Sequence, residues 1–154
     1  ALHRQAYLHV LKTSGLGDDH AEQLYQRVTD PAQWTLYPDT AFVLKSLRQN
    51  GIRTAVVSNI AWDIRTVLTA AGADADEYVL SFEVGVAKPD PRIFTEALAR
   101  LAVPAAEALM VGDSEENDGA ARQLGCDFAL VDPLPINDRP TGLVAALRDR
   151  GLSL

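Results

Sequence analysis

The sequence predicts an α/β domain, a parallel sheet covered by helices on both faces, preceded by the end of a helical unit. Three observations predict it. From residue 38 onward, short β-branched or apolar runs alternate with amphipathic stretches of helical length. The polar residues with chemical uses cluster where those runs end, and residues 1–37 carry helical periodicity without a strand. Strands separated by helices of about ten residues need crossover connections, and crossovers make a parallel sheet.

Each element follows from local chemistry. Leu2, Tyr7, Leu8, Val10 and Leu11 fit one helix, ended by Ser14-Gly15 and Gly17. Asp18 or Asp19 is placed to cap a second, which carries Ala21, Leu24, Tyr25 and Val28. The pattern changes after Pro31, so residues 1–37 and 38–154 are read as separate units. Asp39 or Thr40 caps a helix with Val43, Leu44 and Leu47 on one face, and Gly51 ends it. Residues 52–57 form a strand closed by Ser58-Asn59. Ile64, Val67, Leu68 and Ala71 mark the next helix, stopped by Gly72. Residues 78–82 read as a second strand. Asp90 is an N-cap followed by proline at the first helical position, opening a helix with Ile93, Phe94, Ala97, Leu98 and Leu101. Residues 108–111 form a third strand ending at Gly112-Asp113. A helix through Ala120, Ala121 and Leu124 stops at Gly125, residues 127–131 form a fourth strand, and Leu143 and Leu147 lie on a closing helix.

Composition narrows the partners. The 14 basic and 21 acidic residues give a net charge of −7. Phosphate backbones are held by clustered Lys and Arg, so nucleic acid is excluded as a partner. A small phosphorylated substrate is not, because one local cation and a metal can hold it. No apolar run approaches the roughly 18 residues of a membrane span, and no signal peptide is read at the start. The single cysteine, Cys126, allows no intrachain disulfide and points to a cytoplasmic location. At the start of a strand it reads as a small buried apolar residue.

Three segments carry the chemistry. Val56-Val57-Ser58-Asn59 is an apolar strand ending in a hydroxyl and an amide, suited to phosphoryl oxygens and equally to starting a turn. In Gly85-Val86-Ala87-Lys88-Pro89-Asp90-Pro91, two prolines restrain the loop that carries Lys88, whose ammonium can offset charge on a transferring group. In Gly112-Asp113-Ser114-Glu115-Glu116-Asn117-Asp118, hard oxygen ligands at a strand end suit Mg²⁺. Glu115 and Glu116 are explained by the helix macrodipole, whereas Asp113 precedes the helix. Trp34 and Tyr37, near the boundary between units, and Trp62 read as packing residues or as substrate contacts.

Taken in order, the three segments resemble motifs two, three and four of the haloacid dehalogenase (HAD) superfamily, in the subfamily with a helical cap (subfamily I). Val56-Val57-Ser58-Asn59 resembles the second motif, residues 88–94 the Lys-Pro-Asp-Pro-x-Ile-Phe context of the third, and Gly112 to Asp118 the Gly-Asp-(x)4-Asp fourth. The resemblance implies a Rossmann-like core over residues 38–154, with residues 1–37 as the C-terminal part of the cap. It implies a Mg²⁺-dependent phosphatase working through an aspartyl-phosphate. Ser58 and Asn59 would then bind phosphate, Lys88 would be catalytic and phosphate-binding, and Asp113 and Asp118 would serve the metal.

The first motif, Asp-x-Asp on the first strand, has no counterpart, so the chain holds no nucleophile and is expected to be inactive alone. Asp74-Ala75-Asp76 has the spacing but reads as a solvated loop. The absent strand belongs in the middle of the family's sheet, so a gap with unpaired backbone groups is expected. A missing N-terminal segment, a second copy forming a homodimer, or another chain would supply it. The alternatives are a 2-haloacid dehalogenase, a receiver-like domain, and a non-catalytic interaction fragment.

Overall fold

The computed structural model describes residues 2–152 and 154; Ala1 and Ser153, which fall within the two expected units, lie outside it. The chain divides into two compact units, Ala1–Thr35 and Leu36–Leu154.

The first unit is a helical pair, α1 (Leu2–Thr13) and α2 (Asp18–Thr29). Gly15 turns the chain at φ +93°, a conformation that costs glycine little. The expected capping aspartates lie inside α2 instead. Gly17 is the N-cap, and Asp18 and Asp19 occupy the first turn, where the macrodipole favours them. Ala21 is fully buried, Tyr7 meets Tyr25 edge-on at 5.6 Å between ring centres, and Arg4 pairs with Glu22. Trp34 is tied down within this unit, its indole N–H donating to the Val28 carbonyl at 2.8 Å.

The second unit runs α3 (Thr40–Gln49), β1 (Ala55–Ser58), α4 (Arg65–Ala70), β2 (Glu77–Leu80), α5 (Ser81–Val84), α6 (Pro91–Leu101), β3 (Leu109–Gly112), β4 (Asp127–Leu130) and α7 (Gly142–Arg148). Strand β1 starts later than its β-branched run. The Thr54 N–H goes to Asp76 Oδ2 at 2.8 Å rather than into a ladder. The 74–76 loop is thus more than solvated, because Asp76 ties the entrances of β1 and β2 together. The expected strand over 78–82 stops at Leu80. There the Ser81 hydroxyl turns to the backbone of Ile60, and Gly85 closes a helical turn in the left-handed region at φ +74°. Gly119–Leu124 winds as a 3₁₀ helix, tighter than the helix expected there.

Asp39 is a second departure. It precedes α3 but makes no side-chain bond to it. Its Oδ2 instead accepts the N–H groups of Leu143 (2.8 Å) and Val144 (3.1 Å), capping α7 from across the chain.

Both sheets are parallel, as expected, yet they are separate. β1 pairs only with β2 (Val57 opposite Val79), and β3 only with β4 (Val111 opposite Ala129). Thr54 directs its carbonyl toward β2 and Ala108 directs its own toward β4. By alternation, the backbone groups of Ala55 and Val57 on β1, and of Leu109 and Val111 on β3, point away from their partners. Burial agrees. All four residues of β1 and of β3 are only partly buried, whereas Val79, Leu80 and Phe128 on β2 and β4 are essentially inaccessible. Inner strands of a complete parallel sheet are the most buried ones, so here the order is reversed. Helices cover both faces. Ile93, Phe94 and Ala97 of α6 pack with Ala120, Ala121, Val57 and Met110 on one side. Val43 and Leu47 of α3 pack with Val144, Leu147, Leu109 and Val111 on the other. Each large apolar side chain so buried contributes about 1.5–3 kcal/mol.

Candidate functional site

In open α/β sheets, ligands lie beyond the carboxyl ends of the strands. Three such ends converge here, and the convergence is built from sequence-local devices. β1 ends at Ser58, which is partly buried and whose hydroxyl has no partner among the described residues. The loop after α5 carries Lys88, and Asp90 anchors the far side of that loop. Asp90 accepts the Arg92 N–H at 2.9 Å as the N-cap of α6. The Arg92 guanidinium first, and that N–H second, hold the Asp90 carboxyl at about 2. β3 ends at Gly112, and Asp113 to Asp118 form the loop beyond it.

Lys88 joins the ends of the two sheets. Its Nζ donates to the Val57 carbonyl at 3.0 Å and to Asp118 Oδ1 at 2.6 Å. The first acceptor is one of the β1 groups facing away from β2, so the ammonium caps the upper end of that open edge. The pair is well shielded, with side-chain exposures of 13% for Lys88 and 5% for Asp118. Charge-assisted bonds of this length are stronger than neutral ones, and removal of either partner strands a buried charge.

Asp118 is committed on both oxygens. Oδ2 accepts the Ser114 N–H at 3.0 Å. It lies so close to Gly112 that a Cβ at that position would come within 2.2 Å of it. Glycine at 112 is therefore a packing requirement for the carboxylate as well as a turn residue. The Ser114 hydroxyl accepts the Asn117 N–H at 3.0 Å and completes the loop. Asp113 differs. It is exposed, and its carboxylate has no partner among the described residues.

No group of three His, Cys, Asp or Glu side chains with metal-binding geometry occurs among the described residues. The donor set still suits a hard cation that takes one or two carboxylates and completes its shell with water and phosphate, as Mg²⁺ does. Among these residues, Asp113 is the carboxylate that could hold one. Cys126 is no nucleophile, since it is buried and burial pushes its thiol up.

The structure thus brings Ser58, Asn59, Lys88 and Asp118 to one place, with Asp113 beginning the same loop as Asp118. Sequence reasoning did not find the parts that hold them. The Asn59 side chain binds the backbone of Lys88 on both sides, which leaves the Asn59 backbone N–H as the group that could meet phosphate. Ser81, unnoticed in the sequence, donates to the Ile60 carbonyl and accepts the Ile60 N–H, each at 2.9 Å, and so fixes the loop after β1. Tyr37 is occupied within its own unit. Its hydroxyl donates to the Leu134 carbonyl, and the Arg139 guanidinium lies over its ring.

Residues 2–125 match the haloacid dehalogenase-like hydrolase family. The haloacid dehalogenase-like hydrolase domain-containing protein 3 of Mus musculus is 38% identical over 118 residues, covering 72% of this chain and 47% of that protein. The phosphoserine phosphatase of Thermus thermophilus is 32% identical over 134 residues, covering 83% of this chain and 53% of that protein. Among solved structures, a 2-haloacid dehalogenase from Pseudomonas syringae pv. Tomato DC3000 superimposes with a TM-score of 0.63 at 26% identity, covering 94% of this chain and 70% of that one. The chain spans about half the length of the curated relatives it matches. No described helix is long and apolar enough to cross a membrane. The family match runs through all three strand-end groups, and the parallel α/β architecture agrees with it. This chain belongs to the haloacid dehalogenase-like hydrolases.

Proposed function

We propose that this chain forms the phosphate-handling part of a Mg²⁺-dependent phosphatase acting on a small phosphorylated metabolite. One observation carries the reading. A shielded ammonium, Lys88, is fixed between two strand ends, beside the Ser58 hydroxyl and near the loop bearing the uncommitted Asp113 carboxylate. Ser58 and the backbone N–H of Asn59 would hold phosphoryl oxygens. Lys88 would offset the charge that develops on the transferring group, in surroundings where a preoriented donor outperforms water. Asp118 would hold Lys88, and Asp113 would ligate Mg²⁺, which supplies charge neutralisation at the phosphoryl oxygens. Reaction through an aspartyl-phosphate then needs a carboxylate nucleophile that these residues do not supply.

The open edges of β1 and β3 support a supplier in the form of a strand. One strand hydrogen-bonded to both edges would join the two sheets into one. It would run parallel to both and end in carboxylates beside Ser58 and Gly112, where the positive charge of Lys88 is. A segment outside these 154 residues or a second copy would provide it. The Ala1–Thr35 unit would be part of a helical cap, and the unpaired thiol of Cys126 fits a cytoplasmic setting.

The second reading, a 2-haloacid dehalogenase, is favoured by the structural likeness to one such enzyme. Asp113 argues against it, because that chemistry needs no metal ligand. The test is hydrolysis of an aryl phosphate with Mg²⁺ and then with EDTA, beside halide release from a 2-haloacid, by the chain combined with a source of the nucleophile strand. We expect phosphate release that EDTA abolishes, and none from the 154-residue chain alone. Activity that survives EDTA, or halide release in its place, would overturn the proposal.

A further inference from the structure

The Asn59 side chain is spent on another residue of the site, Lys88. Its Nδ2 donates to the Lys88 carbonyl at 2.8 Å, and its Oδ1 accepts the Lys88 N–H at 2.7 Å. A carboxamide is a side chain that can satisfy both backbone groups of one residue at once, since it carries a donor and an acceptor side by side. Lys88 is therefore gripped at both ends from one stretch of chain. Asn59 holds its backbone, and the carbonyl of Val57, two residues earlier, receives its ammonium at 3.0 Å. The intervening stem is the flexible part of a lysine, and fixing both ends removes the freedom that would let the charge wander.

We propose that the Asn59 side chain is a positioning residue for Lys88, rather than a phosphate ligand. The clamp sets the point from which the lysine stem departs, and the ammonium reaches Val57 and Asp118 together only from that point. Asn59 itself is exposed. Hydrogen bonds open to water add little to folding, so the clamp's effect lies in geometry. Ser81 works beside it, because its two bonds to Ile60 hold the loop from which the Asn59 side chain projects.

The inference rests on the phosphatase reading only for the statement that Lys88 meets substrate, and the test separates the two. In the 154-residue chain labelled with ¹⁵N-lysine, the ammonium protons of Lys88 should exchange slowly with water and give a resolved signal, assigned by its absence in Lys88→Arg. Asn59→Ala should speed that exchange at least tenfold while leaving the melting temperature nearly unchanged. Asn59→Asp keeps the acceptor and loses the donor, so it should fall between. Once the nucleophile strand is supplied, the same variants should lower kcat by on the order of tenfold to a hundredfold, the cost of a displaced catalytic group, with KM held. Unchanged Lys88 exchange in Asn59→Ala overturns the clamp, whatever happens to turnover. Fast exchange with an unchanged kcat keeps the clamp and overturns the role of Lys88 in the reaction.

Discussion

Asp113 and Asp118 lie five residues apart on one loop, and their surroundings are opposite. Asp118 is 3% exposed, with Lys88 on one oxygen and the Ser114 N–H on the other. Asp113 is exposed and bonded to nothing among the described residues. Two identical side chains in one motif thus sit in opposite surroundings. The buried one is fixed by a cation, and the outer one has no partner among the described residues.

The sharpest way to break this comparison is to remove the buried member. Asp118→Ala leaves the Lys88 ammonium shielded without its partner and should cost about 3–5 kcal/mol in urea unfolding. Replacing both partners, Asp118→Leu with Lys88→Met, should recover most of that. A single-variant loss near that of a surface pair, about 1 kcal/mol or less, would mean that the two aspartates are alike. Asp39 sharpens the contrast from outside the site. It is equally buried but holds two α7 N–H groups instead of a cation. Asp39→Ala should cost about 1–3 kcal/mol without changing Lys88 ammonium exchange.

Asp76 gives a smaller, pH-dependent effect. The Thr54 N–H chiefly, then the Thr54 hydroxyl and Arg48, hold its carboxyl below the usual carboxylate range. A carboxyl lowered on folding stabilises the protein above its unfolded value, about 3.9, and that contribution is lost as pH falls through the folded value. The gap in melting temperature between wild type and Asp76→Asn should therefore be present at pH 7 and close below about pH 4. Asp113→Asn should shift stability least, within about 0.5 kcal/mol. Mg²⁺ affinity by calorimetry, and turnover once the nucleophile strand is supplied, should nonetheless fall by orders of magnitude. Near-normal turnover would refute the metal assignment.

The comparison also shows what could be read in advance. The order of Ser58, Lys88 and Asp113/Asp118 is legible because Ser58 ends a strand, Asp113 follows one, and Lys88 lies in the loop just before the Asp90 cap, positions that local periodicity marks. What escaped were side chains such as Asp39 and Asn59, whose partners are distant in sequence. Asp39 looks like the cap of the helix it precedes, and only the folded chain brings the α7 N-terminus to it. Asn59 looks like a turn residue because its partner lies in another loop. The commitment of Asp118 depends on Gly112 leaving room, which spacing alone does not express. Strand ends failed for a related reason. Thr54 and Ser81 have hydroxyls that draw the backbone out of regular pairing, and propensity weighs them as ordinary β or turn residues.

The separation of the two sheets has a consequence for how the molecule opens. Each ladder joins residues close in sequence, Ala55 with Glu77 and Leu109 with Asp127, so each forms at a small loop-closure cost. Among the described residues, side-chain packing of α6 and the 119–124 turn and one lysine couple them, and no shared backbone hydrogen bond joins the two ladders. Native-state amide exchange should resolve them as two cooperative blocks with different opening free energies. A strand inserted between them would merge the blocks into one, making the reaction centre and the cooperativity of the fold depend on the same few hydrogen bonds.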